Sequence, residues 1–225
     1  MDAAFWLERW ERNQIGFHQE QVNSHLQEFW KALALPDGAP VFVPLCGKSR
    51  DLLWLRGQGH PVTGVEISPR ATEAFFAENR LTPTVTRRGD FVWAEADGVT
   101  LLTGDFFDLT PASLGPVAGV YDRASLIALP PAMRTRYADH LVRLVDPATP
   151  LLLVSLDYPE AEMNGPPFPV REEEVRRLYE RRRTVSLLYT CDALPENPAF
   201  ADRGVTRLTE KVYRLGPLSP NGGAS

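Results

Sequence analysis

The segment from Val41 to Glu66 constrains the fold more than any other part of the chain. A short apolar run is interrupted at Pro44 and Gly47, a helical pattern follows, and a second apolar run ends on Glu66. This order of strand, loop, helix and strand is typical of the first half of a nucleotide-binding parallel sheet. An acid about 20 residues after the first glycine turn is well placed to accept hydrogen bonds from a ribose.

The loop in this segment discriminates between nucleotide ligands. A dinucleotide fold has three glycines in the pattern G-x-G-x-x-G, which let the backbone approach a pyrophosphate, whereas this loop has only Gly47. Gly47-Lys48-Ser49 imitates the end of a phosphate-binding loop, but that motif needs a glycine where the chain has Phe42. One glycine and an acid on the next strand suit an adenosine without phosphates. S-adenosylmethionine is the commonest ligand of this kind, and we expect it as the cofactor.

Length and composition indicate one globular α/β domain. The chain has 225 residues, 44% of them hydrophobic, and no linker rich in Pro, Gly or Ser divides it. We expect this domain to cover residues 1–215, with a helical N-terminal arm or lid over 1–36. Residues 216–225 are rich in Gly, Pro and Ser and are expected to form a disordered tail.

Charge and cysteine content exclude several classes of partner. The net charge of −5 provides no chain-wide basic surface for nucleic acid, and the longest apolar run, Leu151 to Leu156, is too short to span a membrane. Cys46 and Cys191 are far apart and have no metal-ligand spacing. We therefore expect a cytoplasmic protein without a metal that acts on a small molecule.

The N-terminal arm is rich in aromatic residues. Trp6 and Trp10 are four residues apart and share one face of a predicted helix. Two interpretations of Trp10 are open, since it can attach the arm to the core or cover a bound ligand. His18, near the start of the next helix, is either a capped or solvated residue or a catalytic base.

Four residues are predicted at the carboxyl ends of strands, where open α/β sheets bind their ligands. They are Leu45, Glu66, Asp105 and Arg123. Asp105 can accept a hydrogen bond from the exocyclic amine of adenine while Phe106 packs on the ring, although Asp105 can also cap a helix. Asp122 and Arg123 can also form a surface ion pair.

The remaining pattern gives a sheet of seven strands. Thr84 to Thr103 reads as a hairpin or excursion that ends in the third core strand, and Leu151 to Leu156 as a fully buried strand. Thr184 to Cys191 and Val205 to Leu215 are expected to form an antiparallel pair at one edge. The loop from Tyr158 to Val170 contains several prolines, which make it stiff enough to wall a pocket.

Several short motifs recur together from about Trp6 to Leu215. They are Trp10, Phe17-His18-Gln19-Glu20-Gln21, Phe42-Val43-Pro44-Leu45-Cys46-Gly47-Lys48, Gly64-Val65-Glu66-Ile67-Ser68, Phe107-Asp108-Leu109, Asp122-Arg123, Gly165-Pro166-Pro167-Phe168 and Glu210-Lys211-Val212-Tyr213. With these motifs the chain resembles the thiopurine S-methyltransferase family, in particular its bacterial branch. The Pro-Leu-Cys-Gly-Lys and Phe-His-Gln-Glu-Gln runs are specific to this family, and most methyltransferases carry a Gly-x-Gly loop in place of the first.

The resemblance implies a Rossmann-like methyltransferase sheet of seven strands with helices on both faces. It implies S-adenosylmethionine as methyl donor, S-adenosylhomocysteine as product, and a monomer that acts on small aromatic thiols such as thiopurines. Selenium or tellurium species, or halide, are the alternative acceptors. The positions that match cofactor contacts are Trp10, Leu45, Glu66, Asp105, Phe106 and Arg123, and Phe17 matches a position that lines the substrate pocket.

The expected reaction is an in-line displacement in which a thiolate or selenolate attacks the sulfonium methyl group. Charge is neutralised in the transition state, so a pocket that excludes water favours the reaction. Arg123 is the expected catalytic residue, because its guanidinium stays charged and can stabilise a thiolate. Cys46 is expected to be a buried apolar filler. A sensor that binds the cofactor without turnover is the rival to an enzyme.

Overall fold

The computed structural model describes residues 3–15 and 18–218. The chain forms two compact units. The first contains Ala34–Tyr121 and the described residues of Met1–Glu28. The second contains Phe29–Leu33 and the described residues from Asp122 onward.

Helices and strands alternate along most of the chain. The helices are α1 (Ala3–Glu11), α2 (Ser24–Phe29), α3 (Asp51–Gly57), α4 (Pro69–Glu78), α5 (Pro111–Leu114), α6 (Ser125–Ala128), α7 (Pro131–Leu144), α8 (Glu172–Tyr179) and α9 (Pro198–Ala201). Short 3-10 helices cover Trp30–Leu33 and Phe106–Asp108. The strands are β1 (Val41–Val43), β2 (Val62–Glu66), β3 (Thr84–Arg88), β4 (Phe91–Ala96), β5 (Val99–Thr103), β6 (Gly119–Arg123), β7 (Leu151–Asp157), β8 (Thr184–Asp192) and β9 (Thr209–Gly216).

In the first unit the strands are hydrogen-bonded in the order β3-β4-β5-β2-β1-β6. β5, β2, β1 and β6 run parallel, with Val43 beside Gly64 and Glu66 beside Thr103. Parallel strands are buried on both faces and need crossover connections, which explains the continuous apolar runs and the helical patterns between them. Since these strands run in one direction, their carboxyl ends follow one edge of the sheet.

The number of strands differs from the prediction. The described residues contain nine strands and not seven. β3 and β4 form an antiparallel hairpin that pairs with β5, so the excursion predicted within Thr84 to Thr103 is part of the sheet. Every residue of β3 is exposed, and its sequence therefore lacks the alternation by which a half-buried strand is recognised. The class of fold is unchanged.

The second unit has the strand order β7-β9-β8, with antiparallel pairing throughout. All residues of β7 are buried, as its apolar run predicts. The predicted antiparallel pair is confirmed, although its second strand begins at Thr209 and the short helix α9 comes before it. Gly216, the first residue of the expected tail, is the last residue of β9, and residues 219–225 lie outside the described residues. None of the described helices is both long and apolar enough to cross a membrane.

Candidate functional site

The loop after β1 turns through two residues with positive φ. Leu45 has φ +45° and Gly47 has φ +53°. Glycine adopts this conformation freely, but for leucine it costs roughly 1 kcal/mol or more, and strain of this kind clusters at ligand-binding sites. The amide of Cys46 donates to the carbonyl of Val65 at 3.0 Å, which holds the loop against the end of β2.

Glu66 ends β2, and its carboxylate is enclosed by loop backbone. The residue is only 6% exposed. Oε2 accepts a hydrogen bond from the amide of Gly47 at 2.9 Å, and Oε1 accepts one from the amide of Ser68 at 2.8 Å. A carboxylate has about four acceptor positions, and the amide of Ile67 is a third donor, so the group retains the capacity to accept from about one further donor. A ribose hydroxyl is such a donor.

The protonation of Glu66 is set by two opposing effects. Burial raises the pKa of its carboxyl group, and the backbone N–H groups of Ser68, Gly47 and Ile67 oppose the rise because they stabilise the ionised form. The charge of Glu66 therefore depends on the position of these amides. Any change that moves the loop away from β2 makes the buried carboxylate easier to protonate.

Trp10 lies against the same loop. The residue is 7% exposed, and its Cζ2 atom lies 3.4 Å from the place where a Cβ on Gly47 would be. Arg70 at the start of α4 donates to the carbonyl of Glu11 at 2.8 Å, which fixes the end of α1. Trp10 therefore attaches the arm at the loop itself, where an indole is also placed to cover a ligand.

Gly64 is a residue of this site whose role was not predicted from the sequence. A Cβ at this position would lie 2.6 Å from Sγ of Cys46 and 2.8 Å from Cδ2 of Leu101. Because real Cβ atoms do not approach other atoms this closely, only glycine lets the Cys46 side chain pack on β2. The signal in the sequence was a glycine inside an apolar strand, which often marks a close approach.

Asp105 and Phe106 follow β5, the strand that runs beside β2. The amide of Gly104 donates to the carbonyl of Glu66 at 3.0 Å, which brings the two strand ends together. Asp105 is exposed, and its Oδ1 caps the 3-10 helix by accepting from the amide of Phe107 at 2.9 Å. Phe106 is buried. The cap interpretation thus describes the Asp105 side chain, whereas contacts of both residues with adenine stay a prediction.

Charged residues near the loop after β1 affect the pKa of His18. Burial and the positive charge of Lys48 lower the pKa of His18, while Glu78 has the opposite effect. Lys48 itself forms an ion pair with Glu78 on α4. These effects favour the neutral form of the His18 imidazole, which can accept a proton and does not repel a cationic ligand.

In the second unit, Asp122 and Arg123 end β6. Asp122 is 0% exposed and accepts a hydrogen bond from the hydroxyl of Tyr137 at 2.8 Å, which rules out a surface ion pair with Arg123. Burial raises the pKa of Asp122 to about 6, against the effect of hydrogen bonds from Tyr137 and Ser125. Arg123 is half-buried, and Ala124 after it has φ +70°, a strained conformation for a residue other than glycine.

The predicted site residues are thus distributed as follows. The first unit brings together Trp10, the loop with Leu45, and Glu66, with Asp105 and Phe106 following the adjacent strand. Arg123 belongs to the second unit. Phe17 lies outside the described residues. The first unit therefore presents a glycine turn, a buried acid and an indole, which are the parts expected of an adenosine-binding site without phosphate contacts.

The sequence matches the family model of thiopurine S-methyltransferase over residues 1–217. Among curated relatives, a thiopurine S-methyltransferase of Nitrosospira multiformis is 51% identical over 215 residues, which cover 96% of this chain and 98% of the relative. Another protein of that name from Pseudomonas fluorescens strain Pf0-1 is 53% identical, with 96% and 99% of the two chains covered. This similarity extends over nearly the whole chain.

Several solved structures with a similar fold are methyltransferases. The 1,6-didemethyltoxoflavin-N1-methyltransferase of Burkholderia thailandensis has a TM-score of 0.61 at 14% identity, with 95% of this chain and 87% of that chain covered. The glycopeptide N-methyltransferase MtfA has a TM-score of 0.60 at 16% identity, with 90% and 91% covered. The fold class predicted from the sequence is therefore confirmed. The chain belongs to the thiopurine S-methyltransferase family, which confirms the class of enzyme and the methyl donor that its motifs predicted.

Proposed function

We propose that this enzyme transfers the methyl group of S-adenosylmethionine to the sulfur of small aromatic or heteroaromatic thiols, thiopurines among them. The products are the methyl thioether and S-adenosylhomocysteine. The names of the relatives support this acceptor class. The observation that supports the donor site most strongly is the Glu66 carboxylate. Backbone amides bind both of its oxygens, and the group retains the capacity to accept from a ribose hydroxyl.

The donor is bound by residues of the first unit. Glu66 accepts from the ribose hydroxyls, and Leu45 lies in the strained turn beside it. Trp10 covers the ligand from the arm, and its contact with Gly47 supports this role. Asp105 and Phe106 contact the adenine. Since the Asp105 side chain caps a helix, its backbone is the better candidate for that contact.

The chemical step is one in-line displacement. A bond forms between the acceptor sulfur and the methyl carbon as the bond from that carbon to the sulfonium sulfur breaks, and the electron pair of the broken bond stays on the donor sulfur. The thiolate and the sulfonium neutralise each other, so removal of water from the site favours the reaction. Most of the rate enhancement comes from alignment of the two sulfur atoms and the methyl group.

Arg123 is the proposed catalytic residue. It ends β6, a strand that runs parallel to β1, so the side chain follows a carboxyl strand end. A guanidinium remains protonated at every physiological pH and can stabilise a thiolate through a charge-assisted hydrogen bond. An aromatic thiol that is already acidic needs no strong base. Arg123 also contributes to binding of the donor.

The N-terminal arm, residues 1–36 of a domain that covers 1–215, acts as the lid of the site in this proposal. The contact of Trp10 with the loop and the hydrogen bond from Arg70 to the end of α1 support the attachment of the arm at this place. Phe17, within the arm, lines the acceptor pocket. We also propose a cytoplasmic monomer that uses no metal.

A direct test compares acceptors in one assay. The full-length enzyme is incubated with methyl-labelled S-adenosylmethionine and, in parallel, with 6-mercaptopurine, thiophenol, iodide, selenite and tellurite, and products are identified by mass. Among these acceptors, we expect the two thiols to have the highest kcat/KM. Faster methylation of selenite or tellurite would assign the enzyme to chalcogen detoxification, and faster methylation of iodide to halide transfer. Donor binding without any methylated product would indicate a sensor.

A further inference from the structure

The buried guanidinium of Arg134 joins three segments of the second unit. Arg134 lies on α7 and is 1% exposed. Nε donates to the carbonyls of Leu126 and Leu129 at 3.1 and 3.0 Å. Nη1 donates to the carbonyl of Pro169 at 3.0 Å and to Oε2 of Glu174 at 2.6 Å. These partners belong to the α6 region, to the proline-rich loop of residues 158–170, and to α8.

Other hydrogen bonds connect the same segments. The amide of Phe168 donates to the carbonyl of Ile127 at 2.7 Å, so the proline-rich loop is tied directly to α6. The amide of Val170 donates to the carbonyl of Leu156 at 2.8 Å, and the hydroxyl of Tyr158 donates to the carbonyl of Pro167 at 2.6 Å. The loop is therefore a fixed element and not a freely moving one.

Arg134 adds donors at the end of the short helix α6, where few carbonyls have a partner within the helix. The carbonyl of Leu126 already accepts from the amide of Leu129 at 3.2 Å, and the guanidinium is its second donor. A guanidinium suits this position, because its planar fork presents several donors in fixed directions and stays charged when buried. A lysine carries its donors on a single nitrogen and cannot reach all of these acceptors at once.

We propose that Arg134 is a positioning residue for the methyl acceptor. It acts through the proline-rich loop and through α6, which begins two residues after Arg123. This inference rests on the proposed function, in which Arg123 stabilises the thiolate, and on the expectation from the sequence that the stiff proline-rich loop walls the acceptor pocket. Arg134 fixes both elements relative to each other within the second unit, and the expected consequence is a defined place for the acceptor sulfur.

Arg183 provides a matched control in the same unit. It is also 1% exposed, and burial lowers its pKa as it does that of Arg134. Its nitrogens donate to the carbonyls of Pro147, Thr149 and Asp146 at 2.7, 2.7 and 3.0 Å. These carbonyls precede β7, whereas the proline-rich loop follows β7. The two arginines are thus similar clamps at opposite ends of one strand, and only one of them touches the proposed acceptor wall.

The experiment compares Arg134→Lys and Arg183→Lys in the full-length enzyme. Both variants are expected to unfold at lower temperature than the parent. Arg134→Lys is expected to raise KM for 6-mercaptopurine about tenfold and to leave the Kd of S-adenosylmethionine within about twofold. Arg183→Lys is expected to leave both constants unchanged within about twofold. Equal KM values in the two variants would overturn the proposal and leave Arg134 a purely structural residue.

Two further measurements test the role of Arg134 even if Arg134→Lys does not fold or if thiols are not the acceptors. If Arg134→Lys does not fold, Glu174→Gln removes only the charged partner and is expected to raise KM about threefold. If the parent methylates no thiol, the proposed function has failed, and hydrogen exchange then decides about Arg134. Arg134→Lys must accelerate exchange at the Phe168 and Val170 amides, and Arg183→Lys must not. Unchanged protection of both amides would refute the clamp.

Discussion

Two buried carboxylates, one in each unit, are held in different ways. Glu66 in the first unit is bound by the backbone amides of Gly47 and Ser68. Asp122 in the second unit is bound mainly by side-chain hydroxyls, those of Tyr137 on α7 and Ser125 on α6, with one backbone amide, that of Ser125. Burial raises the pKa of both groups, for Asp122 to about 6. The chemical groups are alike, so the difference lies in what surrounds them.

This difference separates a binding carboxylate from a supporting one. Backbone amides are placed by the ends of strands and by a strained turn, and they face Glu66 where a ligand is expected. Side-chain hydroxyls come from helices packed on the sheet, and around Asp122 they hold the turn in which Ala124 has φ +70°. We expect substitution of Glu66 to change mainly the affinity for the methyl donor. Substitution of Asp122 is expected to change mainly the free energy of unfolding and its dependence on pH.

The largest expected effect is on the pH dependence of stability in Asp122→Asn. Between pH 4 and 6 the native parent retains a proton on Asp122 that the unfolded chain releases, so its free energy of unfolding falls as pH rises through this window. A pKa raised from 3.8 to about 6 corresponds to roughly 3 kcal/mol. Asparagine does not titrate, so the variant should gain this amount relative to the parent between pH 4 and 6.

Urea unfolding of both proteins at intervals from pH 4 to 7 measures this difference. The titration of Glu66 is common to both proteins and cancels in the comparison. Loss in the variant of a hydrogen bond that does not depend on the protonation of Asp122 shifts its whole curve without changing its slope. Parallel curves for parent and variant would show that the pKa of Asp122 is the same in the native and the unfolded protein, so that burial does not raise it.

Glu66→Ala is expected to weaken binding of S-adenosylmethionine by about 1–3 kcal/mol, or roughly fivefold to 150-fold in Kd. The variant loses the acceptors for the ribose and leaves the amides of Gly47 and Ser68 without their carboxylate. Titration calorimetry measures the affinity directly. Glu78→Ala is the control, because Glu78 also pairs with the loop through Lys48 but is half-exposed, and its removal should change Kd by less than about twofold.

Unchanged affinity in a folded Glu66→Ala variant would remove Glu66 from the donor site. Glu66 would then have a structural role, as Asp122 does, and the two carboxylates would not differ in function. A similar loss in Glu78→Ala would indicate instead that the general negative charge near the loop matters and not the geometry around Glu66.

The sequence located these groups but not their surroundings. The apolar runs and the glycine turn predicted the strand ends that carry Leu45 and Glu66, because burial imposes a pattern on side chains. The donors to Glu66 are backbone amides, which every residue except proline possesses, so no pattern of side chains reveals them. For the same reason the role of Gly64 is visible only once Cys46 and Leu101 are placed around it.

The fold, like the site, was predictable from the sequence only in part. The class, the parallel core and the antiparallel pair β8–β9 follow from the order of apolar runs. The two additional strands do not, since β3 is exposed along its whole length and is a strand only through its pairing with β4. Asp105 was ambiguous because the same carboxylate can cap a helix or accept from adenine, and only the structure places its Oδ1 on the amide of Phe107.

Arg123→Ala extends the comparison to the residue that follows Asp122. Turnover of 6-mercaptopurine at saturating donor is expected to fall about tenfold, because the guanidinium assists a thiolate that is already formed. The free energy of unfolding should change by less than about 1 kcal/mol, since the residue is half-buried at a strand end. Arg123→Lys, which keeps the charge, should recover part of the turnover. Equal turnover in parent and Arg123→Ala would end the catalytic role of this side chain.

Cys46→Ser tests the side chain that lies beside Glu66 in the first unit. Its expected effect on turnover is the smallest of these substitutions. Burial and the charge of Glu66 raise the pKa of the Cys46 thiol, so the reactive thiolate is not formed at neutral pH. The thiol lies close to the glycine at position 64 and to the carbonyl of Gly47, at 3.6 Å from the latter. Serine is no larger and can donate to the same carbonyl, so kcat should stay within about twofold of the parent.

The measurement is a single turnover with methyl-labelled donor, followed by mass analysis of the intact protein. Label on the protein, or complete loss of transfer in a folded Cys46→Ser variant, would mean that the methyl group passes through Cys46 before it reaches the acceptor. The Glu66 site would then be a reaction centre and not only a place of binding. Transfer without label on the protein would show that Glu66 binds the donor and that Cys46 takes no part in the chemistry. The Glu66 carboxylate raises the pKa of the Cys46 thiol, and the protonated thiol does not compete with the acceptor for the methyl group.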